Sequence, residues 1–213
     1  MIRLDIFSDP VCPWCYIGKA NLDRALEAHP DHPFAVHWHP FQLNPNQAPE
    51  GVKRRDYLVA KFGGSGPVDA MNARLREAAK AVGLVMEPET PLLAPNTLNA
   101  HRLTHWAEQE GAQSLVVAAL FRAYWQDGLD IGNPSVLADI AASCGMDGEM
   151  TLQLLHSDAD ADDIQARDLD ARNKGVTAVP TFLIAQQYVV SGAQPPDVWH
   201  NIISELTEIA KAE

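Results

Sequence analysis

No window of this sequence is apolar over the length needed to span a bilayer, and its first residues, MIRLDIFSDP, carry acids where a secretory leader would carry an unbroken apolar core. Neither membrane insertion nor export is expected, and the reading is a cytoplasmic protein. Basic residues are scarce: 16 Lys and Arg stand against 28 Asp and Glu, a formal net charge of -12. A nucleic acid or an anionic lipid surface would be repelled at long range, so neither is expected as the main partner. Cysteine is scarcer still. Three cysteines cannot build the multi-bridge framework of a small secreted domain, which leaves any disulfide to be a transient, chemical one. There is no internal repeat and no low-complexity segment, and 46% hydrophobic with 21% charged residues excludes the disordered and fibrous classes.

Two of the three cysteines lie close together, in SDPVCPWCYIG from Ser8 to Gly18. The apolar run Ile2 to Ser8 predicts a short strand, and Pro13 suits the first turn of a helix that Pro30 ends. Phe34 to Leu43 alternates Val36 and Trp38 with His37 and His39 and breaks at NPNQAP, a second strand. Beyond Gly51 the period becomes helical, with Val68, Met71, Leu75, Ala78 and Val82 on one stripe. Helices ending at Gly111 and Gly128 follow, then one that Asn133-Pro134 would cap and start. After a helical stretch over residues 160–174, two β-rich runs, Thr181 to Ile184 and Tyr188 to Ser191, predict a hairpin. A closing helix through Lys211 carries Val198, Ile202, Leu206 and Ile209 along one stripe. Neither terminal piece closes a core alone, so residues 1–50 and 160–213 are expected to form one discontinuous α/β domain around an all-helical insertion, 51–159.

A cysteine at a helix start sits where unpaired N–H groups and the helix dipole stabilise a thiolate, and such cysteines have pKa values lowered from about 8.5 to roughly 3.5–7.5. Cys12 is therefore the expected exposed nucleophile, and Cys15, one turn later, the deeper resolving thiol. A structural zinc would need about four ligands. Cys144 lies far off in the helical block, so only histidines such as His37 and His39, on one strand face, keep a metal clip open as the lesser alternative. Cys144 falls on the Leu137, Ile140, Ala141 stripe and reads as a small core residue. Trp14, between the cysteines, offers apolar contact and no positive charge. Asp5 lies mid-strand between Leu4 and Ile6, where an ionised carboxylate must be paired, protonated or turned to solvent. Val179-Pro180-Thr181 places a proline directly before a strand, a position that suggests a cis bond.

FSDPVCPWCYIGK, FQLNP, NTLNAHRL, YWQDGLDIGNPSVLADIA, GVTAVPTFLI and VSGAQPP together resemble the thioredoxin superfamily and, within it, the DsbA-like oxidoreductases of the FrnE type, over nearly the whole chain. The resemblance implies a thioredoxin fold split by an inserted all-helical domain, with thiol–disulfide exchange at Cys12 and Cys15 on substrate protein thiols or glutathione. No tightly bound cofactor and no metal are implied. It makes Asp5 a candidate proton carrier for Cys15. It places Val179, Pro180 and Thr181 opposite the cysteines as substrate-binding positions, beside Pro13 and Trp14. It also sets Asn96, His101 and Arg102 near the mouth of the cleft, either holding an acidic group such as a glutathione carboxylate or simply capping and solvating a helix. A neighbouring branch, similar to kappa-class glutathione transferases and 2-hydroxychromene-2-carboxylate isomerases, carries serine where this chain has Cys12. Glutathione-dependent transfer or isomerisation is thus the alternative enzyme, and a holdase chaperone the non-enzymatic one. The oligomeric state stays open.

Overall fold

The computed structural model describes residues 1–212. The chain opens with β1 (Ile2–Ser8), α1 (Pro13–Ala28) and β2 (Phe34–Pro40). A middle segment follows with β3 (Val52–Lys53), α2 (Arg54–Phe62), α3 (Ser65–Ala81), β4 (Leu93–Ala94), α4 (Leu98–Gln109), α5 (Gln113–Trp125), α6 (Pro134–Ser143), α7 (Gly148–Leu155) and α8 (Ala161–Asn173). It closes with β5 (Thr181–Ile184), β6 (Tyr188–Ser191) and α9 (Pro196–Ala212).

The four longer strands make one sheet in the order β2-β1-β5-β6, so the two ends of the chain share a core. β1 runs parallel to β2, with Ile6 opposite Trp38, and antiparallel to β5, with Ile6 opposite Phe182. Alternation along β1 sends Leu4 and Ile6 into the core. With Phe182 they are fully buried, each contributing about 1.5–3 kcal/mol by removal from water. On α9 the buried row is Trp199 and Ile203, one position on from the expected stripe. Trp199 meets Phe182 edge-on at 4.7 Å, whereas Val198, Ile202 and Leu206 are only partly buried and the side chain of Ile209 lies outside the described residues.

The sequence predicts an all-helical middle segment, and the structure departs from that by placing two short strands in it. β3 and β4 form a two-residue antiparallel ladder, Val52 opposite Ala94, and Gly51 is pressed so close that a Cβ there would stand 2.9 Å from the Ala94 carbonyl oxygen. Two helices escaped the periodicity as well. α2 buries only Arg54 and Leu58, and α7 only Thr151 and Leu155, too few positions for an apolar stripe.

The middle segment also covers the β2 edge of the sheet. Trp38 donates its N–H to Gln113 Oε1 at 2.9 Å, and Gln113 Nε2 donates to the Trp38 carbonyl at 3.0 Å, so one side chain makes the pair of bonds a neighbouring strand would make. From α5, Phe121 stacks on Tyr16 at 5.1 Å, and Trp125 Nε1 donates to the Pro10 carbonyl at 3.0 Å. The turn that carries the cysteines is thereby fastened from both sides.

Candidate active site

Cys12 is the N-cap of α1, extended at φ -85, ψ 114, with no side-chain capping bond and Pro13 in the first turn. Its N–H donates to the Asp9 carbonyl at 2.9 Å, and its own carbonyl accepts from Cys15 N at 3.1 Å. Both thiols are free. The expected contrast between an exposed Cys12 and a buried Cys15 is absent, since the two are 4% and 1% exposed. Their surroundings distinguish them instead. Cys12 Sγ donates to the Val179 carbonyl oxygen at 3.6 Å, toward the loop before β5. Cys15 lies deeper, fully enclosed beside Cys12 and the Asp9 backbone. Burial, and after it the nearness of Cys12, push the Cys15 thiol well above its ordinary value.

The loop opposite is held by β5 and β6. The Val179–Pro180 bond is cis. Thr181 Oγ1 donates to the Ala178 carbonyl at 2.7 Å, and Gly192 N donates to the Pro180 carbonyl at 2.8 Å. Gly18 lets α1 approach this loop: a Cβ there would stand 3.0 Å from Pro180 Cγ and 3.4 Å from the Ala193 Cα. Gly18→Ala, which elsewhere in a helix would stabilise by about 1 kcal/mol, is expected here to cost about 1–2 kcal/mol by overpacking. It should also speed alkylation of Cys12 as the Val179 carbonyl is pushed away. Urea unfolding and iodoacetamide kinetics check both, and a net gain in stability would contradict the packing argument. Beside Cys12, the 42%-exposed Trp14 lines a groove of about 380 Å³ with Pro67, Ala70, Met71 and Arg74.

The other sequence candidates are placed differently. Asp5 Oδ1 accepts from Arg3 Nε at 2.7 Å and pairs with His39 Nε2 at 2.6 Å. Three residues from Ser8, it points to the opposite face of β1 and is absent from the groups acting on the Cys15 thiol. His37 pairs with Glu108, and among the described residues no cluster of three or more His, Cys, Asp or Glu side chains is placed to hold a metal ion. Asn96 both braces and caps: its Nδ2 donates to the Gln47 carbonyl at 2.7 Å while its Oδ1 accepts from the N–H of Leu98, the first residue of α4, at 2.9 Å. Neither His101 nor Arg102 lies on a solvated helix face, since both are buried. The Arg102 guanidinium donates to the carbonyls of Leu154, Leu155, Ser157 and Ala159, closing the end of α7 and the turn after it. Cys144 is the C-cap of α6 and only partly buried.

Two residues of the cysteine turn were not singled out by the sequence, Ser8 and Asp9. The Asp9 carboxylate is fully buried, accepting from Leu43 N at 2.7 Å and Val11 N at 3.4 Å and from the Thr97 hydroxyl. Burial outweighs these donors and raises Asp9 from 3.8 to about 7. His101 Nε2 lies 3.8 Å from Asp9 Oδ1, and burial lowers this imidazole from 6.5 to about 4. Asp168 stands nearby, accepting from Gln42 N at 2.8 Å and paired with Arg172. The alternation of β1 was the available signal for Ser8, because Leu4, Ile6 and Ser8 share the inward face.

Known proteins resemble the chain over nearly its whole length. Over 206 residues, 96% of each chain, the sequence is 26% identical to the uncharacterized protein YwbO of Bacillus subtilis (strain 168). The crystal structure of a probable DsbA oxidoreductase from Streptomyces coelicolor is similar at a TM-score of 0.87 and 32% identity, covering 96% of this chain and 89% of that one. The cytosolic disulfide reductase DsbM of Pseudomonas aeruginosa, in a structure with GSH, has the same fold at a TM-score of 0.69 and 21% identity, covering 97% and 99%. A DSBA-like thioredoxin domain matches residues 3–204. The chain belongs to the DsbA-like thioredoxin-fold oxidoreductase family.

Proposed function

We propose that the chain is a thiol–disulfide oxidoreductase that works by passing a disulfide between Cys12–Cys15 and a substrate. The observation that carries this reading is the unequal placing of two free thiols one helical turn apart, Cys12 under the Val179 carbonyl and Cys15 enclosed behind it. In the reducing direction the Cys12 thiolate attacks a substrate disulfide, one substrate sulfur leaves as a thiol, and a mixed disulfide remains. The Cys15 thiolate then attacks Cys12 Sγ. The Cys12–Cys15 bond forms, the second substrate sulfur leaves, and the substrate is reduced by two electrons as the dithiol is oxidised. The reverse sequence delivers the disulfide. Val179, Pro180 and Thr181 would meet an extended substrate chain in the manner of strand addition, with Pro13 and Trp14 bordering its path.

Glutathione is the small-thiol co-substrate in this reading, supported by the disulfide reductase DsbM, whose structure contains GSH. No tightly bound cofactor is required, because the dithiol is its own redox centre. A cytoplasmic setting is in keeping with DsbM, a cytosolic disulfide reductase. Equilibration with a glutathione redox buffer tests the proposal. Intact mass should show the loss of two hydrogens per chain in a sigmoidal dependence on buffer potential, and the Cys12→Ser, Cys15→Ser double variant should show none and lose disulfide reductase activity. Turnover that survives in the double variant would overturn it.

A further inference from the structure

A pocket of about 430 Å³ opens at the start of α2, a volume in the range of small-molecule sites. Its lining includes Lys53, Arg54, Arg55, Asn72 and Glu89, and Leu58 and Leu92 add apolar wall. None of its lining residues belongs to the cysteine turn or to the loop before β5, so it is separate from the dithiol. Arg54 is only 7% exposed. Its Nη1 donates to the Pro88 carbonyl and its guanidinium lies 5.0 Å over the Trp125 ring, yet among the described residues no carboxylate stands within ion-pairing distance of it. A buried charge left in this way is costly, and a bound anion would offset the cost.

The backbone offers donors at the same place. No side chain caps α2; Arg54 N donates to the Leu92 carbonyl at 2.9 Å, and the next N–H groups, of Arg55 and Asp56, have no backbone partner. Unpaired N–H groups at a helix start are where phosphate binds. Asn72 supplies an independent sign of a ligand: it is 2% exposed, its Nδ2 donates to Glu89 at 3.0 Å, and its buried Oδ1 has no partner. That oxygen calls for an O–H or N–H from a bound molecule. The acids on the wall do not cancel Arg54. Glu89 is held by Arg76 and Asn72, and Asp56 is exposed. We propose that this pocket binds a small phosphate ester carrying a free hydroxyl, its phosphate held by Arg54, Lys53 and the first N–H groups of α2, its hydroxyl donating to Asn72 Oδ1. The terminal oxygens of a phosphate can meet a guanidinium, an ammonium and helix N–H groups together, which the two oxygens of a carboxylate do less well.

Isothermal titration of the full chain with glycerol 3-phosphate, at fixed ionic strength, tests the site without reading redox activity, so its outcome is independent of the thiol–disulfide reading. One molecule should bind per chain. Propyl phosphate, an ester of the same charge without hydroxyls, should bind about tenfold more weakly because Asn72 Oδ1 stays unpaired. Sulfate and malate should also bind more weakly than glycerol 3-phosphate, and glutathione should leave its titration unchanged. Arg54→Met should weaken binding about a hundredfold and Lys53→Glu about tenfold. Lys53 is exposed, so its variant carries the test if Arg54→Met does not fold. Absence of binding, equal affinity for propyl phosphate, sulfate or malate, wild-type affinity in Lys53→Glu, or displacement by glutathione would each overturn the assignment.

Discussion

Cys15→Ser is expected to accumulate long-lived mixed disulfides through Cys12, whereas Cys12→Ser traps few or none. The asymmetry follows from position. Cys12 lies at the helix start under the loop carbonyl of Val179, two residues from the exposed Trp14, so an incoming sulfur meets it first. Cys15 is enclosed by Ser8, Asp9 and Cys12, and burial holds it as a thiol, so it reacts only with a sulfur already attached to Cys12. Removing the resolver should lengthen the life of the mixed disulfide by orders of magnitude, because the remaining exit is attack by an external thiol. Non-reducing electrophoresis of lysate expressing each variant, with mass spectrometry of the captured partners, reads the result. Equal trapping by both variants, or first alkylation at Cys15, would sink the assigned order. A glutathione transferase would behave otherwise, keeping turnover in Cys12→Ser, since a hydroxyl can still hydrogen-bond a glutathione thiolate.

The stability of Asp9→Asn should climb with pH between about 4 and 6.5, and that of His101→Gln should fall over the same window, while the wild type stays nearly flat. Asp9 is raised in the folded protein, from 3.8 to about 7. Between those values the folded chain keeps a proton that the unfolded chain releases, so this residue makes stability fall as pH rises. His101 is lowered, from 6.5 to about 4. Between those values the unfolded chain takes a proton that the folded chain refuses, so this residue makes stability rise with pH. Each slope is about 1.4 kcal/mol per pH unit at most, and in the shared window they oppose one another. Each variant unmasks the other residue, with a change of about 3 kcal/mol or less from pH 4 to 6.5. Urea unfolding at a series of pH values measures it. Variants whose curves run parallel to the wild type would show that the two groups do not titrate in this way.

Both predictions turn on residues the sequence shows unequally. Cys12, Cys15 and the hairpin at Thr181 to Ile184 and Tyr188 to Ser191 were legible because their signals are local: a spacing, a proline, an alternation of period two. The register of α9 was not, since Val198, Ile202, Leu206 and Trp199, Ile203 are adjacent apolar rows on one helix. Phe182, seventeen residues before Trp199 in the chain, decides between them. His101 and Arg102 read as a polar pair, yet neighbours on a helix point about 100° apart. One faces Asp9 and the other the end of α7. Asp9 itself is set by donors from Leu43 and Thr97, brought near only by the closed fold, so no local pattern marks it as buried. The expected proton carrier, Asp5, drew attention because it interrupts an apolar strand, and the interruption is answered by Arg3 and His39.

The side chain of Gln113 has a consequence for assembly. By occupying both backbone groups of Trp38, it interrupts one margin of the sheet with a residue that cannot itself template another strand. The opposite margin, β6, ends the sheet with Tyr188 and Val189 well exposed. Addition of a further strand is therefore blocked at Trp38 on the β2 margin and unobstructed by any such side chain along β6.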